Sequence, residues 1–275
     1  MQKLLLVCLL ISFSGLASTP LTVRYSAGGH AYPAELLTLI LSKSAITMVP
    51  SEVPDIPSQN RAIRLLGEKN GIDVFWGATS LEWEKQAKAI LIPIDKGLLG
   101  YRIPVVHTSH KDMFAEVTHS RQLTPFVFGL REDWPDSAIF KSNELETLIY
   151  GTGAEPIAML RSGRIDALPY EIFDITKNHG DDIIHEPHIA IRYPSAVYFF
   201  VANNNQALHK LLYDGLLTAI ADGSFDTLFF KYFAATIAQA NLKNRRIIEL
   251  TNPLLPRSAP IYQPQFWLDK NSLTK

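Results

Sequence analysis

Four histidines stand in two pairs with a spacing that can hold a metal ion. His107 and His110 form the first pair, and His185 and His188 form the second, within the sequence HEPH. Two imidazoles three residues apart can reach one metal ion when the segment is helical. The second pair lies in a strand-like segment that Pro187 breaks, so its rings are expected on opposite faces. We therefore interpret these histidines as loop and surface residues, and we predict no metal site.

No compact motif of a catalytic or cofactor-binding loop is present in the sequence. A Gly-x-Ser-x-Gly nucleophile turn, a phosphate-binding loop and a glycine-rich dinucleotide fingerprint are all absent. Carboxylates are plentiful, as at Glu82, Glu84, Asp181 and Asp182. Solvated surface charge explains them best, because acidic residues are rarely buried. We predict no catalytic residue and no cofactor.

One short pattern occurs twice in the chain and is more informative. GIDVFWGATS begins at Gly71, and GRIDALPYEI begins at Gly163. Each glycine follows a helix-like run and suits the left-handed stop of a helix. Asp73 and Asp166 then stand where a carboxylate can accept backbone hydrogen bonds as a strand begins. Each strand runs from apolar residues into polar and aromatic ones.

The carboxyl ends of these strands are the expected place for a ligand. In open α/β sheets, ligands bind beyond those ends, where backbone donors and helix N-termini point. Trp76 and Tyr170 could instead fill the core, as large aromatics often do. Thr79 and Ser80 could instead cap the next helix. The candidate ligand contacts are Tyr25, Ser26, Trp76, Gly77, Thr79 and Ser80 in the first unit, and Arg131, Trp134, Gly153, Tyr170 and Glu171 in the second.

The elements that position these residues alternate between strand and helix in two blocks, which predicts two α/β units with parallel strands. The run at 72–78 is almost wholly apolar, as expected for a strand buried on both faces. In the first block, strands are predicted at 21–26, 45–52 and 72–78, and helices at 32–43 and 58–70. In the second, strands are predicted at 126–131, 145–151 and 165–170, and helices near 134–142, 154–162 and 171–180.

Extended segments near 100–107 and 193–200 are expected to cross between the two units. Apolar segments at 182–193 and 195–203 lead into a region with helical spacing, which is interrupted at 221–226. The last stretch contains four prolines in NPLLPRSAPIYQPQFWLDK, so it is expected to run extended along a surface.

The N-terminus predicts export. A short positive start, an apolar run LLLVCLLISF and small residues up to Ala17 form the pattern of a cleaved signal peptide, residues 1–17. The only cysteine, Cys8, would leave with it, so the mature chain would have no disulfide and no reactive thiol. The balance of 26 basic and 27 acidic residues, without a basic stripe, argues against nucleic acid as a partner.

Three longer stretches carry a family resemblance: AIRLLGEKNGIDVFWGATS, AMLRSGRIDALPYE and AIADGSFDTLFFKYF. Their order and spacing resemble family 3 of the type II periplasmic solute-binding proteins, the amino-acid type. GATSLEWE, IPIDKGLLGYR, DWPDS and LTNPLLPRSAP are similar to a divergent branch of it.

This resemblance implies an α/β protein of two lobes, each a sheet flanked by helices, joined by two hinge crossings. Lobe 1 would comprise residues 18–103 plus 200–275, and lobe 2 would comprise residues 104–199. It also implies a monomeric periplasmic protein, not an enzyme, that closes around a small solute. Its further partner would be an ABC permease or a membrane sensor.

The resemblance also carries site residues. Glu171 occupies the position where amino-acid binders place an acidic partner for the ligand ammonium. The family's arginine for the ligand carboxylate is replaced, since Trp83 or Glu84 stands there. Arg102 in the hinge and Arg131 are the nearby alternatives. Ordinary α-amino-acid binding is therefore not expected.

The predicted aromatic contacts fit more than one class of solute. Tyr25, Trp76, Tyr101 and Tyr170 would suit a ring, a sugar or a quaternary cation. An enzyme on the same scaffold, such as a dehydratase of cyclic acids with Glu171 as general acid, is one alternative. A sensory accessory without a ligand is another.

Overall fold

The computed structural model describes residues 21–26, 30–54, 56 and 59–268. The predicted signal peptide lies outside these residues. The strands are β1 Leu21–Tyr25, β2 Met48–Glu52, β3 Phe75–Ala78, β4 Lys88–Ala89, β5 Tyr101–His107, β6 Phe128–Arg131, β7 Thr147–Tyr150, β8 Leu168–Glu171, β9 Ile183–His185, β10 Ile189–Arg192, β11 Val197–Val201 and β12 Arg246–Glu249. The α-helices are α1 Ala31–Ser42, α2 Gln59–Leu65, α3 Leu81–Gln86, α4 Asp136–Ser142, α5 Pro156–Arg161, α6 Gln206–Ala221 and α7 Ser224–Gln239.

The first lobe is built on strands in the order β2, β1, β3, β11 and β4. β1 and β2 pair in parallel, and Tyr25 forms a parallel bridge with Val74 that brings β3 beside β1. β11 runs antiparallel to both β3 and β4. The carboxyl ends of the three parallel strands therefore share one edge of the lobe.

The second lobe repeats this order with β7, β6, β8, β5 and β10. β6 and β7 pair in parallel, and Phe128 forms a parallel bridge with Ala167 that brings β8 beside β6. β5 runs antiparallel to β8 and β10, while β9 also pairs with β5. The predicted two-lobed α/β fold is confirmed, and the two lobes share the same strand order.

Helix packing in the first lobe follows from apolar spacing. In α1, Leu36, Leu37, Ile40 and Leu41 are all buried, which is the one-sided pattern of an amphipathic helix. Burial of each such side chain contributes about 1.5–3 kcal/mol. Gly215 lets α6 approach closely, because a side chain there would lie 2.7 Å from the carbonyl oxygen of Ile40.

The second lobe has its own core, centred on aromatic rings. The ring centroids of Phe114 and Phe128 are 6.2 Å apart, and those of Phe128 and Phe140 are 5.2 Å apart. Ile248 and Leu250 complete this core from the C-terminal part of the chain. A second apolar cluster of this lobe gathers around Leu168, while Ile172 and Ala190 pack into the first-lobe core.

Two crossings of the chain between the lobes were expected, and the chain crosses between them twice more after α7. β5 and the segment after β10 are the expected crossings. After α7 in the first lobe, β12 pairs with β10 in the second lobe, although its residues fall in the range assigned to lobe 1. The chain then returns, and Trp267 and Leu268 join the first-lobe core.

Two local predictions were wrong. The segment 171–180 forms only a short 3-10 turn at Ile172–Asp174, because Ile172 is drawn into the first-lobe core. Gly71 does not have a positive φ; Gly67 does, at 82°. Gly71 is required for space, since a side chain would overlap the carbonyl oxygen of Leu65.

The described residues include no helix that combines the length and apolar character needed to cross a membrane.

The apolar segment predicted at 182–193 contains two strands, because Glu186 and Pro187 interrupt it. Glu186 accepts hydrogen bonds from the backbone N–H groups of His188 and Ile189, both at 2.8 Å. That local turn accounts for the break.

Candidate functional site

The repeated Ile-Asp pattern has the same structural role in both lobes. Asp73 Oδ2 accepts the backbone N–H of Arg24 at 2.8 Å, and Asp166 Oδ2 accepts the backbone N–H of Val127 at 2.7 Å. In return, the N–H of Asp73 donates to the carbonyl oxygen of Arg24, and the N–H of Asp166 donates to that of Val127, both at 2.8 Å. Each aspartate thus fixes the start of one strand against its neighbour.

On the first-lobe side, two predicted aromatics come together. The ring centroids of Tyr25 and Trp76 are 5.8 Å apart, and Trp76 also meets Phe199 at 6.0 Å. Trp76 is only 7% exposed, so most of its ring fills the core. Tyr25 and Ser26 are half-buried at the carboxyl end of β1. Burial, and then the charge of Glu52, raise the pKa of Tyr25.

The polar residues after β3 are engaged in local hydrogen bonds. Ser80 accepts the backbone N–H of Trp83 at 3.2 Å, which confirms it as the N-cap of α3. The Thr79 hydroxyl donates to Glu84 Oε1 at 2.7 Å. Gly77 must lack a side chain, because a Cβ would overlap the ring of Trp83.

Trp83 and Glu84, which follow the strand end of β3 within α3, make contacts inside the first lobe. The Trp83 ring packs edge-on against Phe75 at 5.4 Å and Phe200 at 6.1 Å. Both oxygens of Glu84 accept hydroxyl groups, one from Thr79 and one from Ser258, each at 2.7 Å. At these two positions the first lobe therefore offers no arginine to a ligand carboxylate.

On the second-lobe side, Arg131, Trp134 and Tyr170 form one group. The guanidinium of Arg131 lies 5.2 Å from the centroid of the Trp134 ring, which meets Tyr170 at 6.4 Å. Arg131 also forms a bidentate ion pair with Asp133, in which Nε and Nη2 lie 2.5 and 2.9 Å from the two carboxylate oxygens. Burial raises the pKa of Tyr170 to about 12, so its hydroxyl remains protonated at neutral pH.

The end of β7 and the loop after it contain one unpredicted and one predicted residue, Tyr150 and Gly153. Gly153 has a φ of 93° and open space around it, which leaves its backbone accessible. Tyr150 lies opposite Arg131 in the parallel pairing of β6 and β7 and is 8% exposed. The Tyr-Gly step that ends LETLIYG could have indicated it. His179 was also missed, and its ring lies 5.2 Å from Tyr170.

The hinge contains a buried ionic cluster around Arg102. Its Nε and Nη2 lie 2.7 and 3.2 Å from the Asp136 carboxylate, and Nη2 lies 3.6 Å from Glu171. The Tyr193 hydroxyl donates to Asp136 at 2.6 Å. Burial alone would lower the pKa of Arg102, but Tyr193, Asp136 and Glu171 outweigh it, so the pKa is raised. Tyr101 is buried beside it, and Arg192 lies over its ring.

Glu171 connects this cluster to the candidate site. Its side chain is 43% exposed, whereas that of Arg102 is 5% exposed. Burial raises the pKa of Glu171, and the nearby charge of Arg102 only partly offsets this. Since Asp136 takes two hydrogen bonds from Arg102, the Glu171 carboxylate is the less compensated of the two.

The raised pKa leads to a prediction for stability. Ionising Glu171 costs more in the folded chain, so its contribution is present below the ordinary carboxyl value of 4.5 and is lost as pH rises through the raised value. Glu171→Gln should therefore flatten the pH dependence above 4.5 and leave the protein at least as stable at neutral pH. Denaturant unfolding at several pH values measures this. Lower stability of the variant at neutral pH would show instead that pairing with Arg102 dominates.

The histidine pairs do not converge on a metal site. His107 bonds to Ser109 at 2.7 Å, and His188 bonds to Asp112 at 3.0 Å. In the described residues, no group of three or more His, Cys, Asp or Glu side chains is arranged to hold a metal ion.

Comparison with known proteins defines the fold. No protein-family model and no curated protein matches the sequence. A probable amino-acid ABC transporter extracellular-binding protein, ytmK from Bacillus subtilis, matches at a TM-score of 0.52 and 17% identity, over 78% of this chain and 98% of that one. YckB from the same organism matches at a TM-score of 0.51 and 14% identity, over 84% and 96% of the two chains. This chain has the two-lobed fold of the periplasmic solute-binding proteins.

Proposed function

We propose that this protein is a periplasmic solute-binding protein that closes around a small polar or aromatic solute and delivers it to an ABC importer or a membrane sensor. The observation that carries the proposal is the matching pair of strands β3 and β8, whose starts are fixed by Asp73 and Asp166 in two lobes with the same strand order. Trp76 in β3 and Tyr170 in β8 are the aromatic residues of these two strands that we propose to contact the solute. The hinge segments that join the two lobes support a closing motion of one lobe toward the other.

The charges at the site favour a solute with a donor or a positive group. Arg131 and Arg102 are each neutralised by an aspartate, Asp133 and Asp136. Glu171 remains a partly exposed carboxylate beside the aromatic rings of the second lobe. An amino-acid-like metabolite with a flat or cationic part suits this combination better than one held by its carboxylate.

A screen of metabolites by thermal unfolding tests the proposal. A solute present at 100 times its dissociation constant should stabilise the protein by about 2.7 kcal/mol. Solution scattering should then show a more compact particle with the same solute. Absence of any shift across amino acids, amines, sugars and cyclic acids would contradict the proposal.

The same screen separates binding from catalysis. The raised pKa of Glu171 is what a general acid would also need. For a binding protein, incubation with cyclic acids should give no product, and Glu171→Gln should weaken binding only. Turnover that Glu171→Gln abolishes while binding persists would favour an enzyme.

A further inference from the structure

The C-terminal segment of the chain touches both lobes in sequence. The N–H of Leu250 donates to Arg192 O at 2.7 Å. Thr251 and Asn143 share three hydrogen bonds in the second lobe, at 2.9, 2.8 and 3.1 Å. Asn252 then donates to Pro194 O, within the second crossing, at 2.8 Å. Up to this point the segment belongs to the second lobe and the hinge.

The same segment is then fixed to the first lobe. Ser258 donates to Glu84 Oε2 at 2.7 Å. Further on, the Trp267 ring packs onto Gly97, where any side chain would overlap that ring. The N–H of Leu268 donates to the carbonyl oxygen of Lys96 at 2.8 Å. Trp267 is only 7% exposed, so this end is firmly buried.

Glu84 joins this segment to the candidate site. One of its oxygens accepts the hydroxyl of Ser258, and the other accepts the hydroxyl of Thr79. The proton of Thr79 is thereby committed to Glu84, and its oxygen keeps only acceptor capacity. The Glu84 carboxylate thus links the C-terminal segment to Thr79, a predicted ligand contact of the first lobe.

We infer that residues 250–268 form a strap that joins the two lobes, limits how far they open, and holds Thr79 through Glu84. The strap explains why an acidic residue stands where the family has its arginine: the carboxylate anchors the strap to α3. Glu84 is a positioning residue in this scheme. The inference deepens the proposed function, because lobe opening and Thr79 orientation matter for a protein that closes on a solute.

The distance between the lobes, measured without any solute, tests this inference. Spin labels at Arg164→Cys in the second lobe and Lys210→Cys in the first, in a Cys8→Ser background, report it by pulsed electron resonance; both positions are exposed. Ser258→Ala, Asn252→Ala and the double variant should shift the distribution to longer distances and broaden it. The double variant should show the largest shift.

Ser224→Ala is the matched control. Ser224 donates to Asp222 at 2.6 Å in the first lobe, so this variant also loses one serine–carboxylate hydrogen bond, but away from the strap. Its distance distribution should equal that of the parent. Thermal unfolding of every variant shows that each one is folded.

Two outcomes separate the strap from the proposed function. Distributions that are unchanged in the double variant would overturn the strap, even if a solute is found. A clear shift in the double variant, together with a metabolite screen that finds nothing, would support the strap and contradict only the solute-binding proposal.

Discussion

Replacing Arg102 with alanine is expected to lower the free energy of unfolding by about 3–5 kcal/mol. The guanidinium and the Asp136 carboxylate are 5% and 3% exposed, so the variant leaves an uncompensated charge in the interior. Tyr193 would then be the remaining partner of that carboxylate, through a single hydrogen bond of 2.6 Å. Urea unfolding followed by tryptophan fluorescence measures the loss.

Arg131→Ala is the control, because it removes an arginine–aspartate pair of similar geometry from the surface. The two side chains of that pair are 43% and 57% exposed, so water can solvate Asp133 when its partner is gone. Its effect on stability should be much smaller. Arg102→Lys should fall between the two, since lysine keeps the charge but cannot form the two-pronged contact. Equal effects of Arg102→Ala and Arg131→Ala would show that burial of the hinge pair contributes little.

Much of the fold was accessible to sequence reasoning because it depends on local patterns. Alternating strand and helix segments predicted two α/β units, and the structure shows two lobes whose strands, connected through the bridges Tyr25–Val74 and Phe128–Ala167, follow the same order. The repeated Ile-Asp step predicted carboxylates that cap neighbouring strands, and Asp73 and Asp166 do so. The position of each aspartate at the start of its strand is visible in the sequence, whereas its partner on the neighbouring strand, Arg24 or Val127, is not.

The remaining features depend on contacts between distant residues. A helix was expected after Glu171, but Ile172 is buried against the first lobe, and this tertiary contact outweighs the local helical pattern. The partners of Glu84 could not be predicted either, because Ser258 lies far along the chain. Likewise, Arg102 was predicted as a ligand contact in the hinge, but its ion pairs with Asp136 and Glu171 were not predicted. Sequence spacing does not predict such pairings.

Replacing Gly100 with alanine is expected to cost at least about 3 kcal/mol, at the upper end of what overpacking costs. Gly100 ends the short turn before β5, and the N–H of Tyr193 donates to its carbonyl oxygen at 3.2 Å. A Cβ at this position would overlap the carbonyl oxygen of Tyr193. Backbone cannot rotate away as a side chain can, so the two crossings must separate. Denaturant unfolding measures the cost.

Gly151→Ala shows whether this effect comes from the close approach. Its Cβ would lie 3.4 Å from the Glu132 carboxylate, an ordinary contact, so little loss is expected. Separation of the crossings should also displace Arg102, which follows Gly100 by two residues, from Asp136. Gly100→Ala and Arg102→Ala should then cost together less than the sum of their separate effects, because both weaken one hinge contact. Fully additive losses would mean that the backbone approach and the ion pair stabilise the hinge independently.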